Sequence, residues 1–401
     1  VLFLIDVLYS AAAGAEGVLR RLVRALPKEG YRCSIATLAS APARVARDRF
    51  ACPVHCLPVH HLWGISAWRA AWLLSRLLRA ERVAILHTFF PASDLLGAVV
   101  ARLSRTPVMI SSRRDMGFQR TLPQRLAYRA AAPLFDQVQA VSEEVRVWHI
   151  AQDRLDPRRV VTVRNGVDLD EIDAMPPHRP AGIGLPDAAP VVVSVGNLRP
   201  VKGTDQLVRV AARVCRQAPD AHFLVVGAPM DPAYFQRVRA LAEQLGVAGR
   251  VHFAGGRDDV AAVLKACTVF YLPSLSEGLS NALLEAMACG LPCVAHHVGG
   301  NAEVVASGRS GYLTPLRAEQ ETADAIVELL RSPARAAAMG RAGRQIVESR
   351  FSLNAMVSQL AALYDGLLAR VPGFARQPAR RMRSWPAPGG AENQANGRAL
   401  L

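Results

Sequence analysis

The sequence predicts an α/β protein of two doubly wound parallel-sheet domains facing each other across a cleft. Three observations carry this expectation. A length of 401 residues is too much for one ordinary core and comfortable for two. Short β-type runs alternate twice with amphipathic helical stretches, the pattern of a parallel sheet covered by helices. A proline-rich break separates the two series.

In the first series the strands are expected at Val1–Asp6, Ser34–Leu38, Val83–His87, Val108–Ser111, Val138–Val141 and Val160–Val163, giving an N-terminal domain over 1–175. Pro176, Pro177, Pro180, Pro186 and Pro190 then interrupt the alternation, so 176–190 reads as a linker. The second series, Val191–Val195, His222–Val226, Arg250–Phe253, Val269–Leu272 and Pro292–Ala295, defines a domain over 191–350. Phe351-Ser-Leu353 punctuates the chain before a last amphipathic helix. That helix, within 351–370, is expected to pack back toward the N-terminal domain. From 371 to 401 Pro, Arg, Gly and Asn dominate, and a disordered tail is expected.

Apolar residues make up 51% of the chain, aromatics 6% and charged residues 20%, a balance that excludes disordered and fibrous classes. The apolar opening Val1–Asp6 is too short to span a bilayer. No signal peptide or membrane-spanning stretch is recognised, so a cytoplasmic location is expected. Seven scattered cysteines read as reduced thiols. The Cys52/Cys56 and Cys289/Cys293 pairs lack the His or second Cys pair of a zinc site. A net charge of +15 attracts anions whatever the fold. No nucleic-acid motif is recognised, so a membrane surface and a diphosphate substrate fit better. The stretch from Trp63 to Arg82 interleaves Trp68 and Trp72 with Arg69, Arg76 and Arg79. Such a helix either rests on anionic lipid or covers the sheet with its leucine face, and the second is favoured.

The most informative segment runs from Ser274 to Gly290. A strand ends at Pro273, a loop carries Glu277 and Gly278, and Ser280 or Asn281 is placed to cap a helix whose first turn holds Glu285. Free amides at such a helix start bind phosphate. Taken alone, the two glutamates would be a dipole-favouring acid and a solvated loop residue. They are not alone, because Gly196-Asn-Leu-Arg199-Pro-Val-Lys202-Gly203 occupies the first strand-to-helix turn of the same domain. There Arg199 offers a forked cation and Lys202 a point charge to a diphosphate. The turn is neither a Walker loop nor G-x-G-x-x-G, which removes support for triphosphate hydrolysis and NAD binding. Ser111-Ser-Arg113-Arg114-Asp115 lies at a strand end facing the predicted cleft, where Arg113 and Arg114 either hold an anionic acceptor or are solvated loop charge. Asp168-Leu-Asp170 spells a metal-holding Asp-x-Asp but lies beside the linker, and no metal is assigned to it.

Together these segments resemble glycosyltransferase family 4, a retaining family with the GT-B fold of two Rossmann-like domains. Glu277 and Glu285 match its Glu-x7-Glu motif residue for residue. Gly196–Gly203 resembles its Gly-x-Leu-x-x-x-Lys-Gly turn, and Asn165-Gly-Val-Asp168 looks like its pre-linker motif. Val298-Gly-Gly-Asn-Ala-Glu303-Val and Gly308-x-x-Gly311-Tyr-Leu resemble the stretches that follow. The resemblance implies an acceptor domain first and a nucleotide-sugar domain second. It implies a donor site of Gly14, Gly17, Gly196, Arg199, Lys202, Glu277, Gly278, Leu279, Ser280, Asn281 and Glu285. The segment Gly255–Asp259 would lie near the base. His87, Glu277, Arg199 and Lys202 would be catalytic, His87 lying at its strand's end near the reacting sugar. Neither cofactor nor metal is implied, and the acceptor would be a glycan or lipid-linked intermediate. A nucleotide-sugar epimerase of the same fold and a non-catalytic basic protein binding nucleic acid are the alternatives. The first accounts less well for Glu-x7-Glu beside a Lys-Gly turn, and the second for the phosphate-binding turns.

Overall fold

A computed structural model describes residues 1–8, 14–38, 50–57, 59, 64–117 and 120–373. The tail expected to be disordered falls, from residue 374 onward, outside the described residues. The N-terminal half runs β1 (Leu2–Ile5), α1 (Gly14–Ala25), β2 (Ser34–Thr37), β3 (Val54–Cys56), α2 (Ile65–Ala80), β4 (Ile85–Phe89), α3 (Pro91–Leu103) and β5 (Val108–Arg113). It continues with α4 (Leu122–Ala131), β6 (Gln137–Ala140), α5 (Glu143–Asp153), β7 (Val160–Thr162) and α6 (Leu169–Asp173). Its seven strands form one sheet, ordered β3-β2-β1-β4-β5-β6-β7, with every pairing parallel.

Residues 176–190 contain no helix or strand. After them come β8 (Val191–Val195), α7 (Thr204–Gln217), β9 (His222–Val226), α8 (Pro232–Gln244), β10 (Val251–Phe253), α9 (Val260–Lys265) and β11 (Val269–Leu272). Then follow α10 (Asn281–Ala288), β12 (Cys293–His296), α11 (Asn301–Val304), β13 (Gly311–Thr314), α12 (Glu319–Arg331), α13 (Pro333–Arg350) and α14 (Leu353–Leu368). Six parallel strands are ordered β10-β9-β8-β11-β12-β13. Two strands escaped the sequence reading. β3 has only three half-buried residues, and β13 opens on a glycine and follows a turn, so neither presents a β-branched run.

Burial on both faces explains the strand composition. In β1, Leu2 and Leu4 enter one core while Phe3 and Ile5 enter the other, as the period of two requires. The second of these cores also takes Met356, Val357, Leu360, Tyr364 and Leu367 from α14, so the chain's last described helix lies on the N-terminal sheet beside α1. Helix α2 covers the opposite face with Ala67, Ala70, Leu74 and Leu78.

Both sheets reverse strand order at their centre, between β1 and β4 in one and between β8 and β11 in the other. Ligands of such sheets sit in the crevice beyond the carboxyl ends of the strands at that reversal. The two halves also touch directly: the Glu303 carboxylate accepts from the Glu143 amide at 2.6 Å and pairs with Arg164 at 2.5 Å.

Candidate active site

The loops after β8 and β11 flank the reversal point of the C-terminal sheet, and they are locked together. Gly203 takes a left-handed conformation (φ 65°) where a side chain would overlap the Pro273 carbonyl, and the Leu275 amide donates to Val201 at 2.9 Å. The turn Pro200–Lys202 is therefore held against the end of β11. Lys202 Nζ reaches Glu277 Oε1 at 2.6 Å, with the lysine half-buried and the glutamate nearly enclosed. Arg199, which opens that turn, is exposed. Ser280 caps α10, its hydroxyl accepting from the Leu283 amide at 3.3 Å. Leu279 is buried beneath the loop. Two adjoining loops thus gather two cations, a carboxylate and a helix start.

The N-terminal domain meets this loop from the other side. The Arg114 carbonyl lies so close to Gly278 that a methyl there would overlap it. Arg114 Nη2 donates to Asn165 Oδ1 at 2.7 Å, and its guanidinium lies over the Phe89 ring. Desolvation pulls its pKa down to about 10, which leaves it charged at neutral pH. Asn165 Nδ2 in turn donates to Asn281 Oδ1 at 2.8 Å, and Asn281 Nδ2 to the Gly14 carbonyl at 3.0 Å.

An asymmetry separates the two reversal points. In the N-terminal sheet the start of α3 is already filled: Asp6, at the end of β1, accepts from the Ala92 and Ser93 amides at 3.1 and 2.7 Å and from the Ser93 hydroxyl. Burial nevertheless pushes the Asp6 pKa up. The start of α10 carries only the neutral Ser280 hydroxyl. A helix start free of internal anion is the one able to receive an external one.

Two models of known families match this chain. One described as glycosyl transferases group 1 matches residues 179–346 and one described as glycosyltransferase family 4 matches residues 12–171. The chain belongs to glycosyltransferase family 4. It is 35% identical to a D-inositol 3-phosphate glycosyltransferase of Catenulispora acidiphila over 57% of this chain and 54% of that protein; the chain therefore matches about half of that relative's length. It is 26% identical to the UDP-Gal:alpha-D-GlcNAc-diphosphoundecaprenol alpha-1,3-galactosyltransferase of Escherichia coli, over 79% of this chain and 84% of that one. Among solved structures, Anabaena HepE in complex with UDP-glucose superimposes with a TM-score of 0.77 at 21% identity, over 91% of this chain and 99% of that one. Sucrose-phosphate synthase of Thermosynechococcus elongatus gives 0.76 at 24%, over 92% and 99%. These likenesses establish the GT-B fold.

In this family 4 protein the structure gathers Gly14, Arg114, Asn165, Lys202, Glu277, Gly278, Ser280, Asn281 and Glu285 around the domain junction. Arg199 opens the turn that carries Lys202, and Gly196 follows β8 where an added methyl would touch the Lys202 stem. Four expectations require correction. His87 is not at a strand end but in the middle of β4, pointing into the core among Phe3, Phe89 and Tyr364, with Nδ1 2.7 Å from the Tyr364 hydroxyl. Burial, with the Arg114 guanidinium nearby, holds its pKa down at about 3, and its Nε2 meets no partner among the described residues. Arg113 is likewise buried rather than presented to an acceptor. It pairs with Asp94 at 2.5 Å and lies over Tyr128, whereas its neighbour Arg114 projects into the junction. Gly17, expected in the donor site, is a buried residue within α1. Glu285 stands in the second turn of α10, not the first.

Asp6 and Arg21 were missed. An acid closing a first strand was a readable signal for Asp6. Arg21 gave none, because its partner Glu285 is 264 residues away. Among the described residues no group of three or more His, Cys, Asp and Glu side chains is placed to hold a metal ion.

Proposed function

We propose that this protein transfers a glycosyl group from a nucleoside-diphosphate sugar to an acceptor hydroxyl, with retained anomeric configuration and without a metal ion. The observation that carries the reading is the cation pair Arg199 and Lys202 at the one sheet reversal whose helix start holds no internal carboxylate. Cleavage of the bond from sugar C1 to the phosphate oxygen moves negative charge onto the departing diphosphate. Arg199, Lys202 and the amides opening α10 are placed to stabilise it. The acceptor oxygen attacks C1 from the face the phosphate leaves, and its proton passes to the departing phosphate oxygen. Glu277 and Glu285 act as positioning groups: Glu277, held by Lys202, faces the sugar, and Glu285 the ribose.

A lipid-linked acceptor, at the inner face of a membrane, is the acceptor class we favour, the E. coli relative being named for one. The surface of α2 supports it: Ile65, Trp68 and Trp72 are exposed, Trp68 at 79%, in line with exposed Arg69, Arg76 and Arg79. Apolar residues backed by arginines suit an anionic lipid surface. No described helix is long and apolar enough to cross a membrane.

Thermal denaturation with UDP-, GDP- and ADP-sugars in EDTA tests the donor, because a ligand of the folded state raises the melting temperature. At least one is expected to stabilise the protein and to be turned over, in EDTA, to an acceptor glycoside of the donor's anomeric configuration. Stabilisation by none, inversion, or abolition by EDTA overturns the corresponding element. Failure to sediment with anionic vesicles at low salt removes the membrane element alone.

A further inference from the structure

Arg21 lies on the buried side of α1 with residues such as Val18, Leu22 and Val23, where an arginine is costly unless its charge and donors are matched. They are matched across the domain junction. Nη2 donates to Glu285 Oε1 at 2.7 Å and Nη1 to the Gly166 carbonyl at 3.2 Å. The side chains are only 8% and 20% exposed. Gly166 is itself wedged against the Ser352 backbone, so the fork rests on a rigid support. One further contact ties α1 to the C-terminal half, Asn281 on the Gly14 carbonyl at 3.0 Å, while Arg20 pairs with Glu171 of α6, in its own half, at 2.8 Å. Glu285 Oε1 is taken by Arg21, while Oε2 accepts from no described residue.

We propose that Arg21 is a positioning residue for the donor. By holding Oε1 it fixes the Glu285 carboxylate in one rotamer and leaves Oε2 to accept a ribose hydroxyl. Donor affinity is thereby set partly by the domain that does not carry the donor loops. This rests on the reading of Glu285 as the ribose-facing carboxylate. The contrary arrangement, in which Arg21 competes with ribose for Glu285, predicts the opposite sign.

The test is calorimetric titration of the full chain with UDP, GDP and ADP and with their 2′,3′-dideoxy counterparts. The unmodified protein is expected to bind one ribonucleotide at least about tenfold more tightly than its dideoxy form, the loss of a hydrogen bond to a charged group. Glu285→Ala and Arg21→Ala are both expected to weaken the ribonucleotide by about tenfold and to erase that discrimination, with Arg21→Lys restoring part of it. A general loosening of the fold would weaken both nucleotide forms equally and leave their ratio unchanged. Full discrimination in Arg21→Ala, or tighter binding, overturns the proposal. Where Arg21→Ala does not fold, unchanged discrimination in Arg21→Lys and Arg21→Gln does so. If Glu285→Ala loses discrimination and the Arg21 variants do not, only this inference fails. If the unmodified protein binds no nucleoside diphosphate, the donor reading fails with it.

Discussion

Gly278→Ala isolates the role of the domain junction, because it adds one methyl and removes no functional group. That methyl would stand 2.8 Å from the Arg114 carbonyl carbon and 3.1 Å from Val141 Cγ2. Carbon atoms prefer separations of about 3.5–4.0 Å, so the loop and the end of β5 must part by about 1 Å. The Arg114 contact is backbone, which cannot swing aside, and on the far side the Gly300 amide donates to the Gly278 carbonyl at 3.0 Å. The strain is therefore expected to open the junction rather than dissipate locally. A misplacement of about 1 Å in an assembled site can lower turnover about 100-fold, while each sheet keeps its own core. The expected result is a loss of kcat of about that size with a fall in melting temperature of only a few degrees, read by initial-rate kinetics and calorimetry. A fully active Gly278→Ala protein would refute the claim that contact between Arg114 and the Glu277-Gly278 loop forms the working site.

Lys202→Ala and Glu285→Ala are expected to lose nearly all transfer while remaining folded, as judged by product formation and circular dichroism. The burial of His87 makes it bear on stability. Its folded pKa of about 3 lies below the unfolded value near 6.5, so its contribution is intact above about pH 6.5 and is lost as pH falls toward 3, at about 1.4 kcal/mol per pH unit. Denaturant titration should show His87→Gln losing about 2 kcal/mol less than the parent between pH 7 and pH 5, with transfer retained at pH 7.5. The adjacent arginines should separate cleanly. Arg113→Met leaves the buried Asp94 carboxylate without the cation it pairs with and should cost about 3–5 kcal/mol, whereas Arg114→Ala should lower turnover with little change in melting temperature.

Local chemistry was legible wherever a single turn of chain contained it. The Glu277–Glu285 spacing, the Arg199–Lys202 turn and the Ser280 cap are set by consecutive residues, and their backbone environment follows from the strand before and the helix after. His87 and Arg113 were misread for one reason: a polar residue near the end of a predicted strand looks like a crevice residue. A two-residue error in the end of β4, and the choice between sides of β5, decide whether it reaches the crevice or the core.

The sequence by itself determined two parallel sheets, the break between them, and the glycine, lysine and glutamate loops at the head of the second, because strand alternation, proline punctuation and helix capping act over a few residues. Tertiary structure alone decided which helix start already holds a carboxylate, which of two adjacent arginines faces the junction, and that Arg21 meets Glu285. Those outcomes depend on the register of strands and the docking of two domains, which bring together side chains hundreds of residues apart.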